Sequence, residues 1–375
     1  MIKILKSFLL MKELNQLTIT IVGIVGVPAK YGGFESLVET LLDNNEFAFN
    51  YKIFCSSKTY QKKQSYYKGA NLKYLRIKPN GTSSIIYDGL GLLSCLKNHT
   101  DIILLLGVSG AIFLPLMKLF SNSKIICNID GIEWKRQKWR YLARVFLKFS
   151  EALAIKYSDI IITDNKGISD YVKLNYKKDS VTIAYGADVN NNHSNYLLKR
   201  YGLGKNQYFF KVCRIEPENN IELILNAFSQ MHNQKIVIVG NWHNSLFGVK
   251  MLRKYQVYSN ITLLKPIYNQ FDLNELRVNC KGYIHGHSAG GTNPSLVEAM
   301  GLKLPIIAFD VKFNRYTLDD NGIYFSNKND LIREVTRFDS RDIEMDVEKI
   351  HETFLNRYTA EKIAEEYAKL FLKTY

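Results

Sequence analysis

The sequence predicts an α/β protein built from two doubly wound units in series. Short β-branched and aliphatic runs alternate with helix-patterned stretches along the chain, the signature of parallel sheets flanked by helices. A polar, Asn-rich break, DVNNNHSN (Asp188–Asn195), interrupts the alternation near the middle. A chain of 375 residues also exceeds what one ordinary core accommodates.

In the first half, Thr18–Val25 reads as a strand entering a glycine loop and Glu35–Leu42 as a helix. Tyr51–Ser56, Ile102–Leu106, Lys124–Asn128, Asp159–Thr163 and Val181–Tyr185 repeat the short-strand theme. The segment Ile102–Phe120 is long enough for a membrane span. Gly107–Gly110 and Pro115 instead divide it into a buried strand, a turn and an amphipathic helix. Met1–Asn15 lacks a cleavage site and reads as a non-cleaved leader or a surface helix.

After the break a second series begins: strand Tyr208–Cys213, helix Ile221–Gln230, strand Lys235–Val239, then Asn260–Leu264, Gly282–His285 and Leu304–Ala308. Tyr358–Tyr375 places Ile363, Ala364, Tyr367, Leu370 and Phe371 on one helix face, with Thr359 as N-cap. The expected domains are 1–190, 191–355 and a terminal helix, 356–375, packing back on the first domain.

Hydrophobic residues at 46% and charged residues at 23% describe a soluble globular protein. The net charge of +15 is lopsided: residues 1–200 hold 28 Lys and Arg against 15 Asp and Glu, the remainder 22 against 20. Such a field points to a polyanionic partner of the first half, either an anionic lipid surface or a pyrophosphate-bearing substrate. Nucleic-acid motifs are missing, so no nucleic-acid partner is expected. The five cysteines lie far apart without a CxxC pair, which argues against a disulfide framework.

Two glycine loops carry the chemistry. VGVPAKYGGFES puts Gly32 and Gly33 directly before a helix; they serve either a turn needing positive φ or backbone N–H approach to an anion. GYIHGHSAGGTNPSLVEAM (Gly282–Met300) is a strand, a glycine loop and a helix opened by Pro294. There Gly290, Gly291 and Thr292 offer N–H groups to a diphosphate, and Glu298, one turn into the helix, offers a carboxylate to ribose hydroxyls.

These stretches, with IIYD (Ile85–Asp88), LLGVSGAIF, NIDGIEWKRQKW, DNKGISDYV, IAYGAD, RIEPENN and FDVKFNR, occur in order from about residue 19 to 315. Together they resemble family-four retaining glycosyltransferases, in the subgroup with a rhamnosyltransferase-type N-terminal domain. The resemblance implies a GT-B fold: two Rossmann-like domains facing across a cleft, with the C-terminal helix crossing back to the N-terminal domain. It implies transfer of a sugar, L-rhamnose from dTDP-rhamnose, onto a polyprenyl-diphosphate-linked saccharide in O-antigen or capsule synthesis. The protein would then be cytoplasmic and peripheral on the inner face of the membrane. Two departures stand out. Gly290 occupies the first position of the family's Glu-x7-Glu element, and Asn219 stands where a Lys would follow Arg214.

Asp130, Glu133 and Arg136 are the expected catalytic residues, because Asp130 follows a strand at its carboxyl edge. Asp130 contacts the acceptor hydroxyl or the sugar, or else caps the following segment; Lys135 and Arg136 face phosphate or form a solvated face. Donor binding is expected from Gly32, Gly33, Arg214, Glu218, His287, Gly290, Gly291, Thr292 and Glu298, with Lys30 a further cation for the diphosphate. Glu218 and Asn219–Asn220 either touch the donor or cap the next helix. His285 and His287 lack a third ligand, so hydrogen bonding rather than metal binding is expected, and no cofactor or metal. Asn314 and Arg315 lie at another carboxyl edge, as ligand contacts or a loop-bracing pair.

Lys135–Lys156 interleaves Lys and Arg with Trp, Tyr, Phe and Leu; it suits an anionic membrane interface or an ordinary surface helix with a buried stripe. The rival functions are a UDP-sugar hexosyl- or N-acetylhexosaminyltransferase, a non-catalytic sugar-binding homologue, and an NAD-dependent enzyme. The last would need a GxGxxG fingerprint that is absent.

Overall fold

The computed structural model describes residues 17–375 apart from 31, 80, 137–138, 190–191, 195 and 341–344. The leader read at Met1–Asn15 and Asn190, Asn191 and Asn195 of the polar break lie outside the described residues. The chain forms two compact units. One runs up to Gly186 and includes Ala360–Tyr375; the other is Ala187–Thr359.

The first unit holds strands β1 (Thr18–Val22), β2 (Asn50–Ser56), β3 (Tyr66–Tyr67), β4 (Ala70–Leu75), β5 (Ile102–Leu106), β6 (Lys124–Asn128), β7 (Ile160–Thr163) and β8 (Val181–Thr182). Its helices up to Gly186 are α1 (Gly33–Asp43), α2 (Ser83–Cys95), α3 (Leu114–Phe120), α4 (Tyr141–Tyr157) and α5 (Lys166–Tyr176). The sheet order is β3-β4-β2-β1-β5-β6-β7-β8, parallel except for the β3–β4 pair. β1 and β5 are buried along their whole length, which is why their sequences are continuous aliphatic runs rather than alternating ones.

The second unit contains α6 (Leu197–Tyr201), β9 (Tyr208–Val212), α7 (Ile221–Phe228), β10 (Lys235–Val239), α8 (Leu246–Tyr255), β11 (Ile261–Leu264) and α9 (Gln270–Val278). β12 (Gly282–His285), α10 (Pro294–Gly301), β13 (Ile306–Phe309), α11 (Lys312–Leu318), β14 (Ile323–Phe325), α12 (Lys328–Ser340) and α13 (Val347–Arg357) complete it. Its sheet is parallel in the order β11-β10-β9-β12-β13-β14. The last helix, α14 (Ala360–Thr374), belongs to the first unit, where Ile363, Tyr367 and Phe371 enter the core.

In each sheet the chain winds one way from the first strand and then resumes on its other side. The switch lies between β1 and β5 in the first unit and between β9 and β12 in the second. Loops at the carboxyl ends beside such a switch are where open α/β sheets bind ligands.

Several elements differ in extent from the sequence reading. β1 stops at Val22, because Gly23 turns the chain at φ 103°. Val181–Tyr185 keeps only two paired residues, and Ile221–Gln230 closes at Phe228. Ile102–Phe120 is strand β5, a 3-10 turn over Ser109–Phe113 and helix α3. Among the described residues no helix is long and apolar enough to cross a membrane.

Candidate functional site

In the first unit, α1 begins at Gly33 and its first-turn Glu35 folds back over the glycine loop. Glu35 Oε1 accepts the Val25 N–H at 2.8 Å, and Oε2 lies 2.0 Å from where a Cβ on Gly32 would stand. Gly32 also sits at φ 128°, so glycine is required there twice over. Gly33 lies against the Tyr185 ring, 3.2 Å from the place of its Cβ.

Tyr185 leads to Asp130, which follows β6. The phenol donates to Asp130 Oδ1 at 2.8 Å, and burial together with that carboxylate holds the phenol well above its usual pKa. Asp130 adopts φ 59°, a left-handed conformation that Asp tolerates better than most residues. Its N–H donates to Asn128 Oδ1 at 2.9 Å, while Asn128 Nδ2 donates to the Tyr367 hydroxyl on α14, also at 2.9 Å. A relay of side chains thus fixes Asp130 from both the β8 loop and the last helix.

Arg136 Nε pairs with Glu133 Oε2 at 3.0 Å, and its guanidinium reaches Asp130 at 3.9 Å. Trp139 Nε1 donates to Glu133 Oε1 at 2.9 Å. The structure therefore brings Asp130, Glu133, Arg136, Gly32 and Gly33 together, with Glu133 holding Arg136 and Arg136 directed onto carboxylates. Asp130 accepts from Tyr185 and makes no side-chain cap bond. Lys30 lies apart, donating to the Thr59 carbonyl at 3.0 Å over the Tyr60 ring, and Lys135 rests on Trp134 and Tyr171. Beneath this edge Asp88, from IIYD, accepts from the Ser109 hydroxyl of the GVSG turn; burial lifts its carboxyl to about 7.

In the second unit, two loops flank the switch point and are stitched to each other. Asn219 Nδ2 donates to the Arg214 carbonyl at 2.8 Å, and its Oδ1 meets His287 Nδ1 at 3.0 Å. Asn220 Nδ2 donates to the Gly286 carbonyl at 2.8 Å. Ser288 donates both its N–H and its hydroxyl to the Glu218 carbonyl, at 2.8 and 2.9 Å. Asn220 precedes α7 at φ 51° without a side-chain cap bond, so the asparagines tie loop to loop rather than capping the helix. Asn314 joins the same knot, donating to the His287 carbonyl at 2.9 Å; Arg315 braces its own loop on Asp310.

Above the knot, Gly290 and Gly291 take φ 54° and 81°, a backbone reason for glycine where the family resemblance would place a glutamate. Among the described residues neither of their N–H groups has an acceptor within the chain. Thr292 is buried beside them. Asn293 caps α10 by accepting the Ser295 N–H at 3.1 Å, with Pro294 in the first turn. Glu298 pairs through Oε2 with the buried Arg277 of α9, a partner that no motif spacing reveals. Arg214 is half-buried, and among the described residues its guanidinium has no partner.

Two buried bases lie below the knot. Lys211 on β9 is almost fully buried, and its Nζ comes within 3.2 Å of where a Cβ on Gly286 would stand. His285 ends β12 with neither ring nitrogen hydrogen-bonded among the described residues. Burial, then Lys211 and His287 nearby, push the imidazole far below its usual pKa, so it is neutral. Burial likewise lowers Lys211.

Residues 16–188 match the family described as "Domain of unknown function (DUF1972)", and residues 195–366 match "Glycosyl transferases group 1". A sucrose-phosphate synthase from Thermosynechococcus elongatus is similar at TM-score 0.80 and 14% identity, over 95% of this chain and 98% of that one. A glycosyltransferase from Rickettsia africae is similar at TM-score 0.73 and 15% identity, over 96% and 99%. The catalytic domain of starch synthase IV from Arabidopsis thaliana, bound to ADP and acarbose, is similar at TM-score 0.69 and 14% identity, over 96% and 99%. At such identities the likeness establishes the fold, two parallel-sheet Rossmann-like domains of the GT-B kind.

Proposed function

We propose, for a chain that is a group 1 glycosyltransferase with an N-terminal DUF1972 domain, that it transfers L-rhamnose from dTDP-rhamnose with retention onto a polyprenyl-diphosphate-linked saccharide. The setting is bacterial surface polysaccharide synthesis, O-antigen or capsule, at the cytoplasmic face of the cell membrane. The observation that carries the donor side is that, among the described residues, the Arg214 guanidinium and the Gly290 and Gly291 N–H groups lack partners, on two loops stitched together at a switch point. A group of donors without acceptors is what a diphosphate completes. The ADP bound to the starch synthase of like fold supports a nucleoside diphosphate there.

In the proposed reaction the acceptor hydroxyl attacks the anomeric carbon on the face from which the diphosphate departs. The carbon–oxygen bond to the diphosphate breaks, a bond to the acceptor oxygen forms, and the acceptor proton passes to the leaving diphosphate oxygen. Arg214 and the two glycine N–H groups stabilise the charge developing on that oxygen, in a step written without a metal. Glu298, held by Arg277, keeps Oε1 for the ribose. Asp130 orients the acceptor hydroxyl.

A panel of dTDP-rhamnose, UDP-glucose, UDP-N-acetylglucosamine and GDP-sugars, assayed for acceptor-dependent nucleotide release, tests this reading. Release confined to dTDP-rhamnose is expected. Release from a UDP-sugar replaces the donor, and no release with any donor identifies a non-catalytic sugar-binding homologue.

A further inference from the structure

The outward face of α4 is apolar where a solvated helix should be polar. Its inner face is Leu147, Ser150, Glu151, Ala154 and Ile155, all buried. On the opposite side Tyr141, Leu142, Val145 and Phe149 are 78%, 80%, 51% and 59% exposed. Leu142, Val145 and Phe149 follow each other at three- and four-residue steps and so form one stripe. An ordinary amphipathic helix has one apolar face; this one has two. The neighbouring α3 repeats the pattern, burying Leu114 and Met117 while Leu119 and Phe120 stand 73% and 64% exposed.

Charge identifies the occupant. Arg140, Lys148 and Lys156 lie along the exposed side of α4, whereas Lys118 on α3 is paired with Asp159 at 2.6 Å. The sole carboxylate on the two helices is Glu151, which faces inward and accepts from the Tyr171 and Tyr176 hydroxyls at 2.6 Å each. An apolar stripe on a helix whose exposed side carries cations and no carboxylate fits the interface of an anionic bilayer: the rings and aliphatic chains enter the acyl boundary and the cations meet headgroups. A second copy of this chain would bring like charge against like.

We infer that the α3–α4 face docks on an anionic phospholipid surface through Leu119, Phe120, Leu142, Val145 and Phe149. Its biological purpose rests on the lipid-linked acceptor proposed above, whereas its test does not. The full chain is sedimented with phosphatidylcholine vesicles, with and without phosphatidylglycerol. Binding to the phosphatidylglycerol vesicles that weakens with salt is expected. L142S/V145S/F149S should lower that affinity at least tenfold while keeping the parent's melting temperature and its donor turnover on a lipid-free acceptor. K148E should lower it less, and less still at high salt.

Parent protein that does not bind these vesicles overturns the inference. So does a triple variant that binds as the parent does, or one whose only change is a smaller mass in gel filtration, which marks a self-association face. A parent that turns over donor but does not bind the vesicles sinks this inference alone; a parent that binds the vesicles but turns over no donor sinks the transfer reading alone.

Discussion

Both units bury carboxylates, Glu218, Glu275 and Glu334 in the second, but among the described residues only the second buries bases as well. Beneath its carboxyl edge and behind α4, the first unit buries Glu35, Asp88 and Glu151, each accepting from a named donor: the Val25 N–H, the Ser109 hydroxyl, and the Tyr171 and Tyr176 hydroxyls. Beneath its own edge the second unit buries Lys211 and His285, which among the described residues have no hydrogen-bond acceptor or ion-pair partner. A satisfied buried carboxylate braces a loop from within. An unsatisfied buried base is a cost that the fold carries without local return. The comparison teaches that the first unit's edge is braced by satisfied carboxylates, whereas the second carries basic groups left open.

The largest expected effect comes from the open group itself. Arg214→Met should lower turnover about 100- to 1000-fold, as loss of one charge-stabilising donor does, while melting stays near the parent's. A melting temperature that falls in step with activity would make Arg214 structural. Asp130→Asn comes next, because the amide keeps the Tyr185 contact but removes the charge facing Arg136. Steady-state kinetics should show at least a tenfold loss, on the order of 1.4 kcal/mol, with donor binding intact; a smaller loss removes Asp130 from the chemistry.

Lys211→Met reverses the sign. Removing an uncompensated buried cation should raise stability by about 1 to 3 kcal/mol in denaturant titration, and unchanged or lower stability would show that Lys211 has a partner. The smallest effect is with pH, and it separates the units. Asp88, raised from 3.8 to about 7, keeps in the folded state a proton that the unfolded chain loses. Its contribution therefore falls as pH rises between those values, by at most about 1.4 kcal/mol per pH unit. His285, lowered well below 6.5, works the other way: below that pH the unfolded chain takes up a proton that the folded state refuses. Acidification from neutrality should raise amide protection factors, taken relative to the intrinsic exchange rate at each pH, in the first sheet and lower them in the second. Asp88→Asn should abolish the first trend only, and parallel trends in both sheets would refute the contrast.

Much of the fold was legible because buried parallel strands are continuous apolar runs. Ile102–Leu106, Lys124–Asn128, Lys235–Val239 and Gly282–His285 have the bounds their sequences suggest. The β3–β4 hairpin was not, since Tyr66–Leu75 mixes lysines with tyrosines and only partly buries its strands. The site was legible in pieces. Glycine loops announce themselves locally, through turns that only glycine enters. Tyr185, Asn128 and Tyr367 carry no local signal of a role, because what joins them to Asp130 is the parallel order of β6, β7 and β8 and the return of α14. Arg277 escaped notice for the same reason: its partner lies on another helix.

The second unit is inserted into the first. The chain leaves at Gly186 and re-enters at Ala360, and Ala187 forms a β-bridge with Thr359 where the two passages meet. During synthesis the 173 residues from Ala187 to Thr359 therefore emerge before the helix that closes the earlier unit. Until Tyr367 reaches Asn128, the nascent first unit has an open groove in its core and an Asp130 loop lacking one tether. A segment translated after the whole second unit thus finishes the first core begun, and a ribosome stalled before residue 360 would hold one unit able to close and another that is not.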